Sequence, residues 1–179
     1  MGQVVLDGEE INDVGFERSS WNNVELLGCR VHNLEMRFCE LAVCNLANTE
    51  FDNLFWQHSG MKNSKATGVS MAEAIIDGGE FNDCKLDLAN FKFARITNSV
   101  FYNCELKNAD FQSANFKNVK FISCNLSEVN FSQADFKDID LRHSILTNAR
   151  IDVDNFKEIT ISPEQVIFIA NSFGISVKD

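Results

Sequence analysis

The sequence predicts an all-β solenoid, a chain wound into stacked coils with four short sides each and closed at its C-terminal end by one short helix. Three observations carry this. An apolar residue stands at every fifth position for most of the chain, the same residue types recur every twenty positions, and both patterns stop at the only proline.

The period of five comes first. From Leu6, every fifth residue through Ile161 is apolar, 32 positions without one shift of frame. Neither a helix nor a flat strand has this period. Self-similarity at a short fixed period marks stacked repeats. Two residues before each large stop the side chain is small or modest, as at Cys84, Ala89, Ala94, Ser99, Cys104 and Ala109. Glu9 is the one charged residue in that column before Asp154. Two residues after each stop asparagine is the commonest residue, as at Asn23, Asn33, Asn53, Asn98, Asn103 and Asn118. Asparagine tolerates left-handed backbone and bonds its own main chain. Each unit therefore reads as a very short strand with one large and one small residue inward, followed by a turn.

The period of twenty sets the number of sides. Leu6, Leu26, Leu46, Leu86, Leu106, Leu126 and Leu146 share one column with Ala66, and only Leu41 and Leu141 are leucines among the other large stops. The small column from Val4 likewise gathers Cys44, Cys84, Cys104 and Cys124. Like stacks on like when each layer of a core has the same shape. Four units per coil follow, and about eight coils. A step of fifteen mixes Leu6, Trp21, Met36 and Phe51, against a three-sided coil.

These units resemble the pentapeptide-repeat proteins, whose motif is roughly Ala-Asp/Asn-Leu/Phe-x-x. The nearest matches are Ala89-Asn90-Phe91, Ala109-Asp110-Phe111, Ala114-Asn115-Phe116 and Ala134-Asp135-Phe136. The resemblance covers almost all of residues 4–161 and implies a right-handed four-sided parallel β-helix. Coils about 4.8 Å apart would make a rod roughly 38 Å long.

The tail differs. Ser162, Pro163 and Gln165 supply an N-cap, a proline at the first helical position and a capping-box partner, and Gly174 sits where a C-cap glycine belongs. A helix over about 163–172 is predicted, with Val166, Ile169, Ala170 and Phe173 as its apolar stripe, Ile167 and Phe168 on other sides, and a brief strand at Ile175 and Val177. The division is thus 1–161 for the solenoid and 162–179 for helix and tail. One role is a cap on the open end, since open β edges need covers. The run that begins Pro163-Glu164-Gln165-Val166 and ends Phe173-Gly174-Ile175 also resembles the C-terminal helix of the DNA-mimicking, quinolone-protection members, the Qnr and MfpA group. That resemblance implies a two-fold homodimer, with Ile167, Phe168, Ile169, Phe173 and Ile175 as its contacts.

At 179 residues the chain is one domain plus its tail. It has no apolar run of membrane-spanning length and no signal-peptide pattern, so a soluble, cytoplasmic product is expected. All six cysteines (Cys29, Cys39, Cys44, Cys84, Cys104, Cys124) fall in the inward small column. They read as buried free thiols serving as small hydrophobes rather than as a disulfide framework or a zinc site. A net charge of −10 and a pI near 4.7 argue against direct nucleic-acid binding. Acid is densest in residues 1–50, nine carboxylates against three bases, and around the side centred on Ile11, Phe51, Phe111 and Ile151. There Glu10, Asp13, Glu50, Asp52, Glu73, Asp110 and Asp152 stand against Arg30, Lys92 and Arg150. They are the candidate partner-binding residues.

No catalytic residues, cofactor site or metal site can be assembled. His32, His58 and His143 occupy outward positions unrelated to any nucleophile, and Gly78-Gly79 lacks the lysine and helix of a phosphate loop. The expectation is a protein that is not an enzyme. Outward apolar residues Phe38, Val43, Phe55, Leu88, Phe93, Tyr102 and Ile122 are either an interaction patch or, as preferred, turns that tuck an extra side chain inward. A kink is expected in the weak repeat over 54–79. The acidic surface reads either as a solvated face or as a mimic of DNA. B-DNA carries about one charge per 1.7 Å, so a rod of this length would need about 22. Mimicry here must rest on shape and local clustering. The resemblance implies DNA gyrase or topoisomerase IV as partner and, through it, quinolone protection. The frame has no insertion to form the projecting loops of the strongest protectors. The alternative is a scaffold or regulatory module with another protein partner.

Overall fold

A left-handed residue at every fifth position turns the chain. Each of these corner residues from Gly8 to Asn148 has a positive φ, between 44° and 70°. Four such corners close each coil, so each turns the chain through about a right angle. The computed structural model describes residues 4–172 and 174–177. Within them the chain makes about eight coils of a four-sided parallel solenoid. Wall 1 carries the Leu6 column, wall 2 the Ile11 column, wall 3 the Phe16 column and wall 4 the Trp21 column.

Every pairing between coils is parallel and offset by twenty residues. The first coil contributes β1 (Val4–Asp7), β2 (Glu10–Asn12), β3 (Gly15–Glu17) and β4 (Ser20–Asn22). They pair with β5 (Val24–Leu27), β6 (Arg30–His32), β7 (Glu35–Arg37) and β8 (Glu40–Ala42) of the second. On wall 2, β9 (Glu50–Asp52) follows β6. Walls 3 and 4 merge into one 13-stranded sheet, because the strands Asn115–Ile122 and Asp135–Asp140 run through the corner between them.

The inward columns stack like on like. Leu86, Leu106 and Leu126 are fully buried behind the bridges Lys85↔Glu105↔Asn125 of wall 1. On wall 2 the rings of Phe91, Phe111 and Phe131 stack with centroids 4.7 and 5.2 Å apart, and on wall 4 those of Phe81, Phe101 and Phe121 lie 4.6 and 4.7 Å apart. Such offset stacks suit the aromatic quadrupole as well as the burial. All six cysteines are buried and free. Where the small column carries a hydroxyl, neighbouring backbone satisfies it. Ser59, Ser64, Ser99 and Ser144 accept from the amides of Cys39, Cys44, Gly79 and Cys124 at 2.9–3.0 Å.

Four expectations are corrected. Units are not all strands: on wall 1 from Leu46 and on wall 2 from Met71, the amide of the next small residue bonds back to the large residue's carbonyl, as in Ala89 to Leu86 at 3.1 Å and Ala94 to Phe91 at 3.1 Å. With a positive φ at the third position these are type II turns. No kink interrupts 54–79. The register continues through Trp56↔Ile76 and Met61↔Phe81, and Ala66 is fully buried. The turns do not tuck in their apolar side chains: Val43, Leu88 and Phe93 are 56%, 60% and 58% exposed. A left-handed corner directs its side chain away from the core whatever its chemistry. Finally, Ile175 and Val177 form no strand.

The C-terminal end is covered. Residues Pro163–Gln165 form one 3-10 turn that leads into helix α1 (Val166–Ser172), with the capping box of Ser162 and Gln165 in place. Gln165 is buried. Its Nε2 donates to the carbonyls of Leu141 and Ser144, both at 2.7 Å, and its Oε1 accepts from the Ser162 amide at 2.8 Å. Phe168 is half-buried against the core, not turned away from it, whereas Val166 of the expected inward stripe is exposed. The short 3-10 lead-in rotates the helix relative to a regular one begun at Pro163. At its end Gly174, at φ 72°, lets its own amide reach Asn171 at 2.9 Å and that of Ile175 reach Ala170 at 3.0 Å.

Candidate functional site

Wall 2 brings most of the predicted acidic residues onto one surface. The residue before each large stop forms a vertical column, Glu10, Arg30, Glu50, Ser70, Asn90, Asp110, Asn130 and Arg150, joined rung to rung in register. Neighbours stand about 4.8 Å apart. Asp52 and Asp152 stand on the other edge of the wall, and Asp13 and Glu73 on its corner.

The geometry pairs much of this acid. Arg30 Nε lies 3.1 Å from Glu50 Oε2, His32 Nδ1 lies 2.9 Å from Asp52 Oδ2 and its Nε2 lies 3.8 Å from Glu10, and Lys92 Nζ lies 3.1 Å from Asp110 Oδ2. Asp110 also accepts from Asn130 at 3.0 Å, Asp13 from Asn33 at 2.7 Å, and Asp152 from the Gln133 amide at 2.7 Å. Glu73 borders a notch with Ile75, Phe93 and Arg95. Wall 2 is thus a ladder of mixed sign with an acidic excess, not an unbroken row of carboxylates. Exposed pairs of this kind contribute little to stability, so the ladder chiefly fixes where charge sits.

The proposed dimer contacts divide. Ile167 and Ile175 are 54% and 58% exposed, Phe168 and Ile169 are half-buried, and Phe173 lies outside the described residues. A groove of about 630 Å³ separates the helix from the last coil, lined by Leu146, Asn148, Gln165, Ile167, Phe168 and Asn171.

Two features escaped the sequence reading. One is a column at the corner between walls 3 and 4. Arg18 sits 5.2 Å over the ring of Phe38, which stacks 5.5 Å from His58. Beside it Arg37 lies 4.6 Å over Phe55. A step of twenty from Arg18 would have found the column. The other is the open N-terminal end, where Leu6, Ile11, Val14, Phe16 and Trp21 are only partly buried. Four of them are stops in the beat and Val14 is in the small column, so they read as core, but among the described residues no strand pairs with the second edge of the first coil.

Elsewhere a few titratable groups are buried or locked. Asp77 is held below the usual carboxylate range by hydrogen bonds from Thr97 and Asn98, and Asp140 by Arg142. Hydrogen bonding along the thiol column, with burial, pushes Cys104 up to about 12 and raises Cys84 too. These thiols are poor nucleophiles. Among the described residues no group of three or more His, Cys, Asp or Glu could hold a metal ion, and no helix is long and apolar enough to cross a membrane.

A parallel solenoid with a five-residue beat, four left-handed corners per coil and charge displayed on flat walls defines a repeat protein built to present surface. The family profile described as pentapeptide repeat region matches residues 74–151 and 94–166, together over half of the sequence. The chain belongs to the pentapeptide-repeat family. Similar solved structures include a trypsin-treated variant of QnrB1, a plasmid-mediated fluoroquinolone resistance protein, at 20% identity over 98% of each chain and a TM-score of 0.45. HetL, a pentapeptide repeat protein involved in heterocyst differentiation regulation from the cyanobacterium Nostoc sp. strain PCC 7120, is 13% identical over 83% of this chain and 87% of its own, at 0.35. Rfr23 from the cyanobacterium Cyanothece 51142 is 14% identical over 81% of this chain and 89% of its own, at 0.43. A comparison with curated proteins gives no match.

Proposed function

We propose that the protein is a non-catalytic binding rod that modulates a type II topoisomerase, DNA gyrase or topoisomerase IV, by presenting an acidic, DNA-like surface. The observation that carries this is the placement of Glu10, Glu50, Asp52, Asp110 and Asp152 along one flat wall at multiples of one rung spacing. A stiff wall holds charge at fixed intervals without an ordering cost on binding. The motif resemblance to the quinolone-protection group supplies the enzyme class. Pairing through Ile167, Ile175 and their neighbours would join two rods end to end, with the acid-rich coils outermost. A partner of this class places the protein in the cytoplasm.

The test is gyrase supercoiling with purified protein, with and without a quinolone. Micromolar protein should change supercoiling or drug-stabilised cleavage, and the triple variant Glu50→Gln, Asp52→Asn, Asp110→Asn should weaken the effect at least fivefold. Drug protection is read in the same assay. No effect in either arm discards the topoisomerase. A second reading, a scaffold for another protein, is favoured by the bases that partly neutralise wall 2 and by the exposed apolar corners Leu88 and Phe93.

A further inference from the structure

The two ends of the rod are not equivalent. At the C-terminal end Gln165 bonds the carbonyls of Leu141 and Ser144, and Phe168 lies over the last coil. At the other end, β1, β2, β3 and β4 each pair along one edge only, and no described strand lies on their second edge. Behind that edge is an apolar cavity of about 630 Å³ lined by Leu6, Ile11, Val14, Phe16 and Trp21. The backbone there is set to continue the ladder. In the second coil Arg30 N–H donates to Glu9 C=O at 2.9 Å, and His32 C=O accepts from Asp13 N–H at 3.0 Å. Glu10 N–H and Asn12 C=O hold the equivalent places on the open edge.

The first coil also carries the largest net charge of any coil. Residues 4–23 carry Asp7, Glu9, Glu10, Asp13 and Glu17 against Arg18 alone. A second copy docked by its own open end would set this acid against itself across one rung, and the opposite end of a second copy is covered by its helix. Wall 2 shows what fits instead. Above Glu10 the register places Arg30, and above Arg30 it places Glu50, bonded at 3.1 Å. Acid and base alternate over these first three rungs, and with the acidic excess of the first coil the open position beneath Glu10 calls for a base.

We infer that this end is a docking site for an extended, cationic segment of a partner protein, which adds a strand beneath β2, turns an apolar side chain into the cavity and sets a lysine or arginine beneath Glu10. Strand addition takes its affinity from main-chain bonds and its specificity from alternate side chains. This site shares Glu10 and Asp13 with the acidic surface of wall 2 but needs neither Glu50 nor Asp110, so the two readings are tested by different residues.

The probe is acetyl-Lys-Val-Lys-Leu-Lys-Val-Lys-amide, titrated against the full chain while following Trp21 emission. Trp56 is buried in the third coil and serves as an internal constant. A saturable blue shift is expected at micromolar peptide and should vanish in Trp21→Phe. Binding measured by calorimetry should persist in that variant. Val14→Asp should abolish binding with the circular dichroism spectrum unchanged, because this end residue is not enclosed. Glu10→Gln with Asp13→Asn should weaken binding at least tenfold, whereas Glu50→Gln with Asp110→Asn should leave it within twofold. The inference is overturned if there is no saturable change at millimolar peptide, if the peptide with Glu for Lys or the one with Ser for Val and Leu binds equally, or if the Glu10 and Asp13 substitutions have no effect. It is equally overturned if sedimentation shows parent molecules associating in a way that Val14→Asp removes, since a second copy then fills the end.

Discussion

Val43 is a β-branched side chain on a left-handed corner, at φ 55°, between Asn23 and Asn63 of the same column. Left-handed backbone disfavours a non-glycine residue by roughly 1–2 kcal/mol, and asparagine escapes much of that through local hydrogen bonds. Val43→Asn should therefore recover about 1 kcal/mol of backbone strain. It should also gain part of an amide ladder like those at other corners. Asn53 donates to Asn33 at 3.0 Å and Asn118 to Asn98 at 3.1 Å, and a bond of this kind contributes about 0.5–1.5 kcal/mol. Against this stands the buried part of the valine. Its side chain is 56% exposed, so about half of the 1.5–3 kcal/mol for full burial is lost. The balance favours the variant by about 1 kcal/mol, or about 2–4 °C in Tm for a domain of this size. Urea unfolding followed by circular dichroism, with thermal melts, measures it. A variant less stable than the parent by 1 kcal/mol would falsify the view that corner backbone, rather than packing, dominates there.

Other outcomes follow from the same geometry. Phe111→Ala removes a fully buried ring stacked between Phe91 and Phe131 and should destabilise by about 3–5 kcal/mol in the same urea assay. Gln165→Ala strands the carbonyls of Leu141 and Ser144, weakening tail docking by about 1–3 kcal/mol, and hydrogen-exchange mass spectrometry should show residues 162–172 exchanging faster with the middle coils unchanged. Arg142 depresses the pKa of Asp140 through a bidentate contact of 2.7–3.1 Å. The pair stabilises the fold above the ordinary aspartate pKa, and that contribution fades as pH falls through the lowered native value. Arg142→Gln should lower Tm at pH 7, and the difference from the parent should shrink as the solution is acidified through the native pKa. Ile167→Asp should raise the gel-filtration volume if tail pairing holds, and an already monomeric parent would remove that pairing.

Most of the architecture is legible in the sequence because a solenoid repeats one local problem. Each coil meets the same neighbours above and below, so Leu86, Leu106 and Leu126 must be alike, and a step of twenty reveals them. The left-handed corners are legible wherever asparagine or glycine occupies them. Phe38, Val43, Leu88 and Phe93 stand outward because the repeat's register overrides side-chain preference: once neighbouring coils fix a corner, whatever stands there points outward. The unbroken path through 54–79 has the same cause, since pairing above and below holds weak units in line. The acid count of wall 2 could be read in advance, but its mixed character could not. Arg30 faces Glu50 only because parallel pairing fixes one rung between them. Composition likewise gave no sign that the first coil is open and the last covered. That difference depends on which described strands pair along one edge only, and on where Gln165 and Phe168 land after a 3-10 turn has rotated the helix. Local chemistry repeated along the chain determines the coil, whereas the ends and the pairing of charge belong to the assembled rod, because contacts between coils exist only once the coils are stacked.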